Sequence, residues 1–161
     1  MIRVAVSGSG TMGTTVVAAV EGDDEMQVVG LVEPLAEVSA EAGEFVAASG
    51  DRYPLHADPA ALFAAASPDV VVDFTNAQFT TRLVDAALDA AVRPVVGTSG
   101  VTGETIEALR ARCASEQRGA VVAANFALGA VMLMHLAEVA APYFDAAEII
   151  ELHHDGKVDA P

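Results

Sequence analysis

Positive charge is scarce in this sequence. Its 161 residues include 8 Lys and Arg against 23 Asp and Glu, which gives a formal net charge of −15. Such a protein repels polyanions and offers no basic patch, so we expect no nucleic-acid partner. Acidic residues crowd the segment from Glu21 to Glu44 without an intervening Lys or Arg, a pattern typical of a solvated face.

Cysteine and long apolar runs are scarce as well. Cys113 is the only cysteine, so no disulfide can form within the chain, which favours a reducing compartment. Residues Met1 to Val4 open directly into a strand-like run, with no charged leader, long apolar run or cleavage site. We therefore expect a cytoplasmic protein with no membrane partner.

Aromatic residues are few, at 5% of the chain, whereas 53% of the residues are hydrophobic. Alanine is abundant among them, which indicates helices packed closely on a sheet rather than a disordered chain. At this length the chain suits one domain, or one domain and the start of another.

Short apolar runs alternate with longer stretches of helical periodicity, a pattern typical of a parallel sheet covered on both faces. The predicted strands are Ile2 to Ser7, Met26 to Val32, Val70 to Phe74, Pro94 to Gly97 and Ala120 to Ala124. The predicted helices lie near Met12 to Val20, Ala36 to Ala48, Ala60 to Ala66, Ala77 to Ala91 and Thr102 to Ser115. The sequence therefore predicts a doubly wound α/β domain.

The pattern changes after residue 124. A helix is predicted from Gly129 to Ala141 and a strand from Ala147 to Leu152, followed by polar residues up to Pro161. We expect a first domain over residues 1–124 and the beginning of a second, α+β domain over residues 125–161. Because a lone strand cannot bury its apolar face, we also expect that the natural chain continues past Pro161.

A glycine motif follows the first strand and opens the first helix, with the sequence Gly8-Ser9-Gly10-Thr11-Met12-Gly13. Glycines in this context allow a tight turn, a close approach of the backbone to a pyrophosphate, and close packing of helix on strand. The helix N-terminus adds N–H groups and a favourable dipole. The motif predicts a nicotinamide dinucleotide site, with a purely structural glycine turn as the alternative.

Glu33 ends the second strand, about twenty residues beyond Gly13, where a carboxylate can accept hydrogen bonds from the adenosine ribose hydroxyls. The same carboxylate would repel a 2′-phosphate, and Pro34 stands where a site for NADPH often has an Arg. We therefore expect NADH to be favoured over NADPH, unless an Arg from elsewhere in the fold pairs with the phosphate.

Two further loops follow predicted strands, namely Phe74-Thr75-Asn76 and Gly97-Thr98-Ser99-Gly100. Open α/β sheets bind ligands at the carboxyl ends of their strands, where these residues can hydrogen-bond a ribose or the nicotinamide amide. Ordinary turn and helix-capping chemistry explains the same residues about equally well.

Residues 151–161 contain two of the four histidines and the only lysine. His153 can donate or accept a proton near neutral pH, and Lys157 can pair with a substrate carboxylate or act as an acid. A surface loop and a metal site are the alternatives. We expect no metal, because zinc needs more ligands than two adjacent histidines, which point apart on a strand.

These motifs together resemble the dihydrodipicolinate reductase family of the diaminopimelate and lysine pathway, over the whole chain. The resemblance is carried by Gly8 to Gly13, Asp73-Phe74-Thr75, Gly97 to Gly100, Ala123-Ala124-Asn125-Phe126, His153-His154 and Lys157 to Pro161.

The resemblance implies reduction of 4-hydroxy-tetrahydrodipicolinate, a small dicarboxylate, to tetrahydrodipicolinate with NADH or NADPH, by a homotetramer in the full-length form. It implies that His153 donates the proton, that His154 contacts substrate, and that Lys157 is a second acid that neutralises a carboxylate. Cofactor binding is implied for Glu33, Gly97, Thr98, Ser99, Ala123, Ala124, Asn125 and Phe126. Residues 125–161 would begin the substrate-binding and oligomerisation domain.

The sequence departs from this family at three places. Its glycine loop is one residue shorter than usual, and Thr11 stands where an Arg often approaches the adenosine phosphate. Asp155 and Gly156 replace residues that are often basic, and the family motif continues past Pro161 with Ser-Gly-Thr. A second hypothesis is therefore an inactive module that only binds a dinucleotide. A third hypothesis is another dehydrogenase of amino-acid metabolism, but the segment from His153 to Pro161 argues against it.

Overall fold

The computed structural model describes residues 1–33, 43–123 and 125–150. The chain divides into two compact units, Met1–Ala124 and Asn125–Pro161. Within its described residues, the first unit contains the sheet and four helices. Its strands are β1 (Ile2–Ser7), β2 (Met26–Val32), β3 (Gly43–Val46), β4 (Arg52–His56), β5 (Val70–Asp73), β6 (Arg93–Val96) and β7 (Val121–Val122). Its helices are α1 (Thr11–Glu21), α2 (Pro59–Ala66), α3 (Ala77–Asp89) and α4 (Gly103–Glu116).

The seven strands form one sheet in the order β3-β4-β2-β1-β5-β6-β7. Neighbouring strands pair in parallel except β3 and β4, which form an antiparallel hairpin. From β1 the chain moves outward to β2 on one side and later to β5 on the other, so the strand order reverses beside β1. This confirms the predicted doubly wound α/β fold, and such a reversal opens a crevice where these sheets bind ligands.

The first strand supplies apolar side chains to both faces of the sheet. Val4 and Val6 belong to a buried cluster with Val17 and Val20 of α1. Ala5, which points the other way, belongs to a cluster built with α2 and α3. Successive residues of a strand face opposite sides, so a continuous apolar run is what a strand covered by helices on both faces requires.

Several helices begin at residues whose chemistry fixes the start. Asn76 precedes α3, and its side chain accepts a hydrogen bond from the N–H of Phe79 at 3.0 Å. Thr102 precedes α4 and accepts from the N–H of Thr105 at 3.2 Å. Pro59 is the first residue of α2, where its missing N–H costs nothing. Local caps therefore explain why these helix starts were predictable from the sequence.

The helix predicted from Ala36 to Ala48 is wrong over residues 43–46, which form β3, and residues 36–42 lie outside the described part of the chain. Strand β3 pairs with β4, from Gly43 opposite Leu55 to Val46 opposite Arg52. The alanine-rich composition favoured a helix, but pairing with a strand later in the chain overrides that weak local preference.

The β3–β4 hairpin is tied to α1 through one carboxylate. Tyr53 of β4 donates its hydroxyl to Glu21 Oε1 at 2.9 Å, and Ser49 donates to the same oxygen at 2.8 Å. Burial, followed by the hydrogen bond and charge of Glu21, raises the pKa of Tyr53 to about 12. The phenol therefore remains a donor to Glu21 throughout the physiological pH range.

The second unit contains helix α5 (Leu128–Ala140) and a 3₁₀ turn at Ala141–Tyr143. The helix confirms the prediction near Gly129 to Ala141. The strand predicted from Ala147 to Leu152 is wrong over residues 147–150, which form no regular element, while residues 151–152 lie outside the described range. A strand exists only where another strand takes its hydrogen bonds, and no strand pairs with residues 147–150 in the described part of this unit. In the segments that the structure describes, no helix is both long and apolar enough to cross a membrane.

Leu83 of α3 is fully buried in the cluster that covers one face of the sheet. We expect Leu83→Ala to lower the free energy of unfolding by about 2–5 kcal/mol, because it removes apolar contacts and leaves a cavity. Urea unfolding followed by circular dichroism measures this change. The matched control is Leu128→Ala, at an exposed leucine, which should stay within about 0.5 kcal/mol of the parent protein. Equal losses in both variants would contradict the assignment of this core.

Candidate functional site

A cavity of about 490 Å³ opens at the carboxyl ends of the central strands β1, β2 and β5. Seven residues line it, namely Gly8, Ser9, Gly10, Glu33, Phe74, Thr75 and Asn76. They come from the segments that follow these three strands, on both sides of the point where the strand order reverses. The cavity therefore lies where the topology of the sheet places a ligand site.

The glycine turn after β1 is held by close backbone packing. Gly8 has φ +93°, in the left-handed region that favours glycine, and its N–H donates to the carbonyl of Val32 at 2.7 Å. Gly13 packs directly on this turn, since a Cβ at Gly13 would lie 1.9 Å from the carbonyl oxygen of Gly8. Neither position accepts another residue without a shift of the backbone.

This packing brings the N-terminus of α1 to the cavity. The helix begins at Thr11 after Gly10, whose φ of −77° is ordinary and whose position provides no side-chain cap. Gly10, Thr11 and Met12 are exposed, and a Cβ at Gly10 would meet nothing within 4 Å. The first N–H groups of a helix have no partner within the helix, so this terminus can bind an anion.

Glu33 lies against the glycine turn. Its Oε2 accepts hydrogen bonds from the backbone N–H of Ser9 at 2.8 Å and from the Ser9 hydroxyl at 2.5 Å. The backbone of Glu33 is held separately, because its N–H donates to the carbonyl of His56 on the neighbouring strand at 2.9 Å. The carboxylate is thus fixed at one side of the cavity, beside the turn rather than in open solvent.

The other side of the cavity is organised by a buried carboxylate. Asp73, the last residue of β5, is fully buried, and its Oδ1 accepts from the Thr75 hydroxyl at 2.7 Å. Its Oδ2 accepts from the hydroxyls of Thr80 at 2.5 Å and Thr98 at 2.8 Å. The hydroxyl of Thr98 also accepts from the N–H of Thr75 at 3.0 Å. One side chain thereby connects the loops after β5 and β6 with helix α3.

Gly97 is required by the aromatic ring beside it. A Cβ at Gly97 would lie 2.1 Å from Cε1 of Phe74, so the ring packs directly on the glycine backbone. The N–H of Gly97 donates to the carbonyl of Asp73 at 2.9 Å. The loop after β6 is therefore packed on the loop after β5, and Phe74 forms part of the cavity wall.

Comparison with known proteins agrees with this geometry. A family described as dihydrodipicolinate reductase, N-terminus, matches residues 2–126 of this chain. The chain belongs to this family. The resemblance found in the sequence motifs is thus confirmed.

Curated relatives of this dihydrodipicolinate reductase family member extend the similarity over the full chain. The 4-hydroxy-tetrahydrodipicolinate reductases of Geobacillus kaustophilus and Listeria welshimeri are each 42% identical to it over 99% of its length. The chain spans 60% of the first protein and 61% of the second. It therefore corresponds to about three fifths of these relatives.

Solved structures give the same result. The dipicolinate-bound dihydrodipicolinate reductase from Paenisporosarcina sp. TG-14 matches with a TM-score of 0.78 and 34% identity, over 100% of this chain and 61% of that one. A homoserine dehydrogenase from S. aureus matches with a TM-score of 0.60 at 14% identity, over 75% of this chain and 31% of that one. The second match shows a shared fold alone.

The structure brings many of the predicted cofactor residues of this family member to one edge of the sheet. Gly8, Ser9, Gly10, Glu33, Phe74 and Thr75 line the cavity, Thr11, Met12 and Gly13 form the first turn of α1, and Gly97, Thr98 and Ser99 follow β6. Ala123 follows β7, and its N–H donates to the carbonyl of Val96 at 3.0 Å. Asn125 and Phe126 belong to the second unit. Ala124, His153, His154 and Lys157 lie outside the described residues.

The sequence predicted no site role for Asp73 or Thr80, and it predicted one for Asn76 only as part of the loop Phe74-Thr75-Asn76. Asp73 was noted only as part of a family motif, although an acidic residue at the end of an apolar strand was a usable signal. Asn76 lines the cavity and caps α3, and Thr80 lies one turn later, where its hydroxyl reaches Asp73. The network around Asp73 is visible only once Thr98, from the loop after β6, is placed beside it.

The contact between Gly13 and Gly8 allows a sharp test. We expect Gly13→Ala to lower the free energy of unfolding by about 1–3 kcal/mol, because the new Cβ overlaps a backbone carbonyl that cannot rotate away. Chemical unfolding of the purified protein measures it. Gly10→Ser is the matched control, since it adds a larger side chain in open space at a position where Ser caps helices well. A Gly13→Ala protein as stable as the control would refute the close packing.

Proposed function

We propose that this chain is the dinucleotide-binding part of an NAD(P)H-dependent 4-hydroxy-tetrahydrodipicolinate reductase. The observation that supports this most strongly is the cavity in which a glycine turn, a helix N-terminus and the Glu33 carboxylate meet. Family membership supports the same reaction. The family consists of pyridine-nucleotide-dependent reductases. The activity remains a proposal for this chain, which spans about 60% of its relatives.

The residues around the cavity fit a dinucleotide. The exposed start of α1 and the side-chain-free position at Gly10 suit a pyrophosphate, which needs N–H donors and close approach to the backbone. Glu33 suits the adenosine ribose, whose hydroxyls donate to a carboxylate. The loops after β5 and β6 then face the nicotinamide half. When bound, the reduced nicotinamide supplies a hydride to an unsaturated ring of the substrate.

The charges at the cavity favour NADH. Glu33 is the only ionisable residue among those that line it, and no Lys or Arg is present in that described set. A 2′-phosphate placed beside this carboxylate would meet like charge without a compensating cation. We therefore infer a preference for NADH over NADPH.

The proton and the substrate carboxylates are assigned to the segment after residue 150. We propose that His153 donates the proton to the carbon beside the one that receives hydride, that His154 contacts substrate, and that Lys157 pairs with a carboxylate. The dipicolinate bound to the Paenisporosarcina relative supports a small dicarboxylate as the ligand class. We further propose that the complete protein is a homotetramer.

The cofactor preference is tested by titrating NADH and NADPH into the protein and following nicotinamide fluorescence. We expect tighter binding of NADH, and we expect Glu33→Gln to reduce the ratio of the two affinities about tenfold, since it removes like-charge repulsion from the 2′-phosphate. Glu44→Gln is the control, because Glu44 is an exposed residue paired with Arg52 on the hairpin. A preference for NADPH in the unaltered protein would overturn the inference.

The reaction is tested by oxidation of NADH that depends on 4-hydroxy-tetrahydrodipicolinate generated in the assay. We expect His153→Gln to lower kcat about a hundredfold or more while NADH binding stays unchanged, because the variant lacks the acid. His135→Gln is the control, since His135 lies on α5 and is exposed.

Two results would contradict this proposal, one concerning the reductase activity and the other concerning the role of His153. NADH binding without any oxidation that depends on substrate would favour the inactive dinucleotide-binding module. A normal kcat in His153→Gln would remove His153 from the mechanism while leaving the reductase activity in place.

A further inference from the structure

We propose that Asp73 is a positioning residue that sets the two loops of the nicotinamide half of the site and fixes the direction of their hydroxyl hydrogens. This rests on the proposed binding of NADH. Asp73 does not line the cavity, and it acts through Thr75 and Thr98.

The Asp73 carboxylate lies in the interior of the protein, surrounded by hydroxyl groups. Asp73 is completely buried at the end of β5, where an unpaired charge would be costly. Three threonine hydroxyls donate to it, and together they engage both carboxylate oxygens. Such an arrangement is maintained only if every donor keeps its place, so the carboxylate fixes the segments that carry these hydroxyls.

The three threonines belong to different elements of the fold. Thr75 follows β5, Thr98 follows β6, and Thr80 lies in α3. Thr80 is fully buried and anchors the network to a helix whose start is itself capped by Asn76. The loops at Thr75 and Thr98 are therefore held to a rigid element, and a direct bond from the Thr75 N–H to the Thr98 hydroxyl joins them at 3.0 Å.

The direction of these hydrogen bonds determines what the threonines can offer to a ligand. A hydroxyl has one hydrogen to donate, and those of Thr75 and Thr98 are directed at Asp73. Their oxygens can therefore only accept from other groups, and Thr98 already accepts from Thr75. Toward a ligand, Thr75 in the cavity wall presents an acceptor, which is what the amide N–H of a nicotinamide requires.

The two halves of the proposed site lie on opposite sides of β1. Glu33 follows β2 on one side of β1, whereas Asp73 ends β5 and Thr98 follows β6 on the other side. With the adenosine ribose at Glu33 and the pyrophosphate at the start of α1, the nicotinamide half lies on the side of β5. Asp73 should therefore affect binding of the whole dinucleotide but not of a fragment that contains only adenosine and pyrophosphate.

The test compares NADH with ADP, which lacks the nicotinamide half, on the full chain. In Thr98→Val, a change that keeps the volume and removes one donor to Asp73, we expect the dissociation constant for NADH to rise about tenfold and that for ADP to stay unchanged. Asp73→Asn should show the same selective loss, because an amide group replaces one acceptor by a donor.

The matched control is Thr81→Val, one residue beyond Thr80 on α3, whose exposed hydroxyl bonds to the carbonyl of Ala77 and not to Asp73. It should bind both ligands normally, and thermal unfolding of each variant shows whether the fold persists. Glu33→Gln should weaken the binding of ADP and of NADH by similar factors, which would identify Glu33 as part of the adenosine half of the site.

Three other results would contradict one of the two proposals. Normal NADH affinity in Thr98→Val would overturn the positioning role while leaving the cofactor proposal intact. Equal losses for ADP and NADH in that variant would also overturn it, because they indicate general damage to the fold. Failure of the unaltered protein to bind NADH would instead overturn the proposed function on which the inference rests.

Discussion

The site depends on the contact between Gly13 and the carbonyl of Gly8. Because only a hydrogen atom fits at Gly13, the first turn of α1 packs directly against the turn that follows β1. That approach is useful because β1 is central, with β2 on one side and β5 on the other. One backbone contact therefore places the anion-binding end of a helix between the Glu33 side and the Asp73 side of the same crevice.

The acidity of the chain makes this local arrangement necessary. A protein with a net charge of −15 has an unfavourable long-range field for an anionic dinucleotide. In physiological salt, however, exposed charges more than about 8 Å away are largely screened, whereas N–H groups in direct contact are not. In the proposed function, affinity for the dinucleotide would therefore come from the N–H donors at the start of α1. In the described part of the chain, the carboxylate of Glu33 accepts from Ser9 and that of Asp73 accepts from threonine hydroxyls.

Features encoded by short stretches of sequence were predictable. The bounds of β1 and β2, the glycine turn and the position of Glu33 follow from apolar runs and from glycines whose demands are local. The Asp73 network was not predictable in the same way, because Thr98 lies 25 residues from Asp73 along the chain and their hydrogen bond depends on the register of β5 and β6. The hairpin of β3 and β4 was missed for a related reason, since β3 is held by β4 and β4 lies between β3 and β2, a strand more than twenty residues earlier.

The error at residues 147–150 shows the limit of pattern reading most clearly. Apolar residues there favour a strand, yet an isolated segment gains nothing from extension unless another strand accepts its hydrogen bonds. The glycine motif can be read from the sequence because its main packing contact, Gly13 on the carbonyl of Gly8, lies within six residues, although Gly8 also donates to Val32 of β2. This difference explains why the cofactor half of the site follows from the sequence and geometry together, while the substrate half, assigned to His153 and Lys157, rests on family resemblance and on the chemistry of the residues themselves.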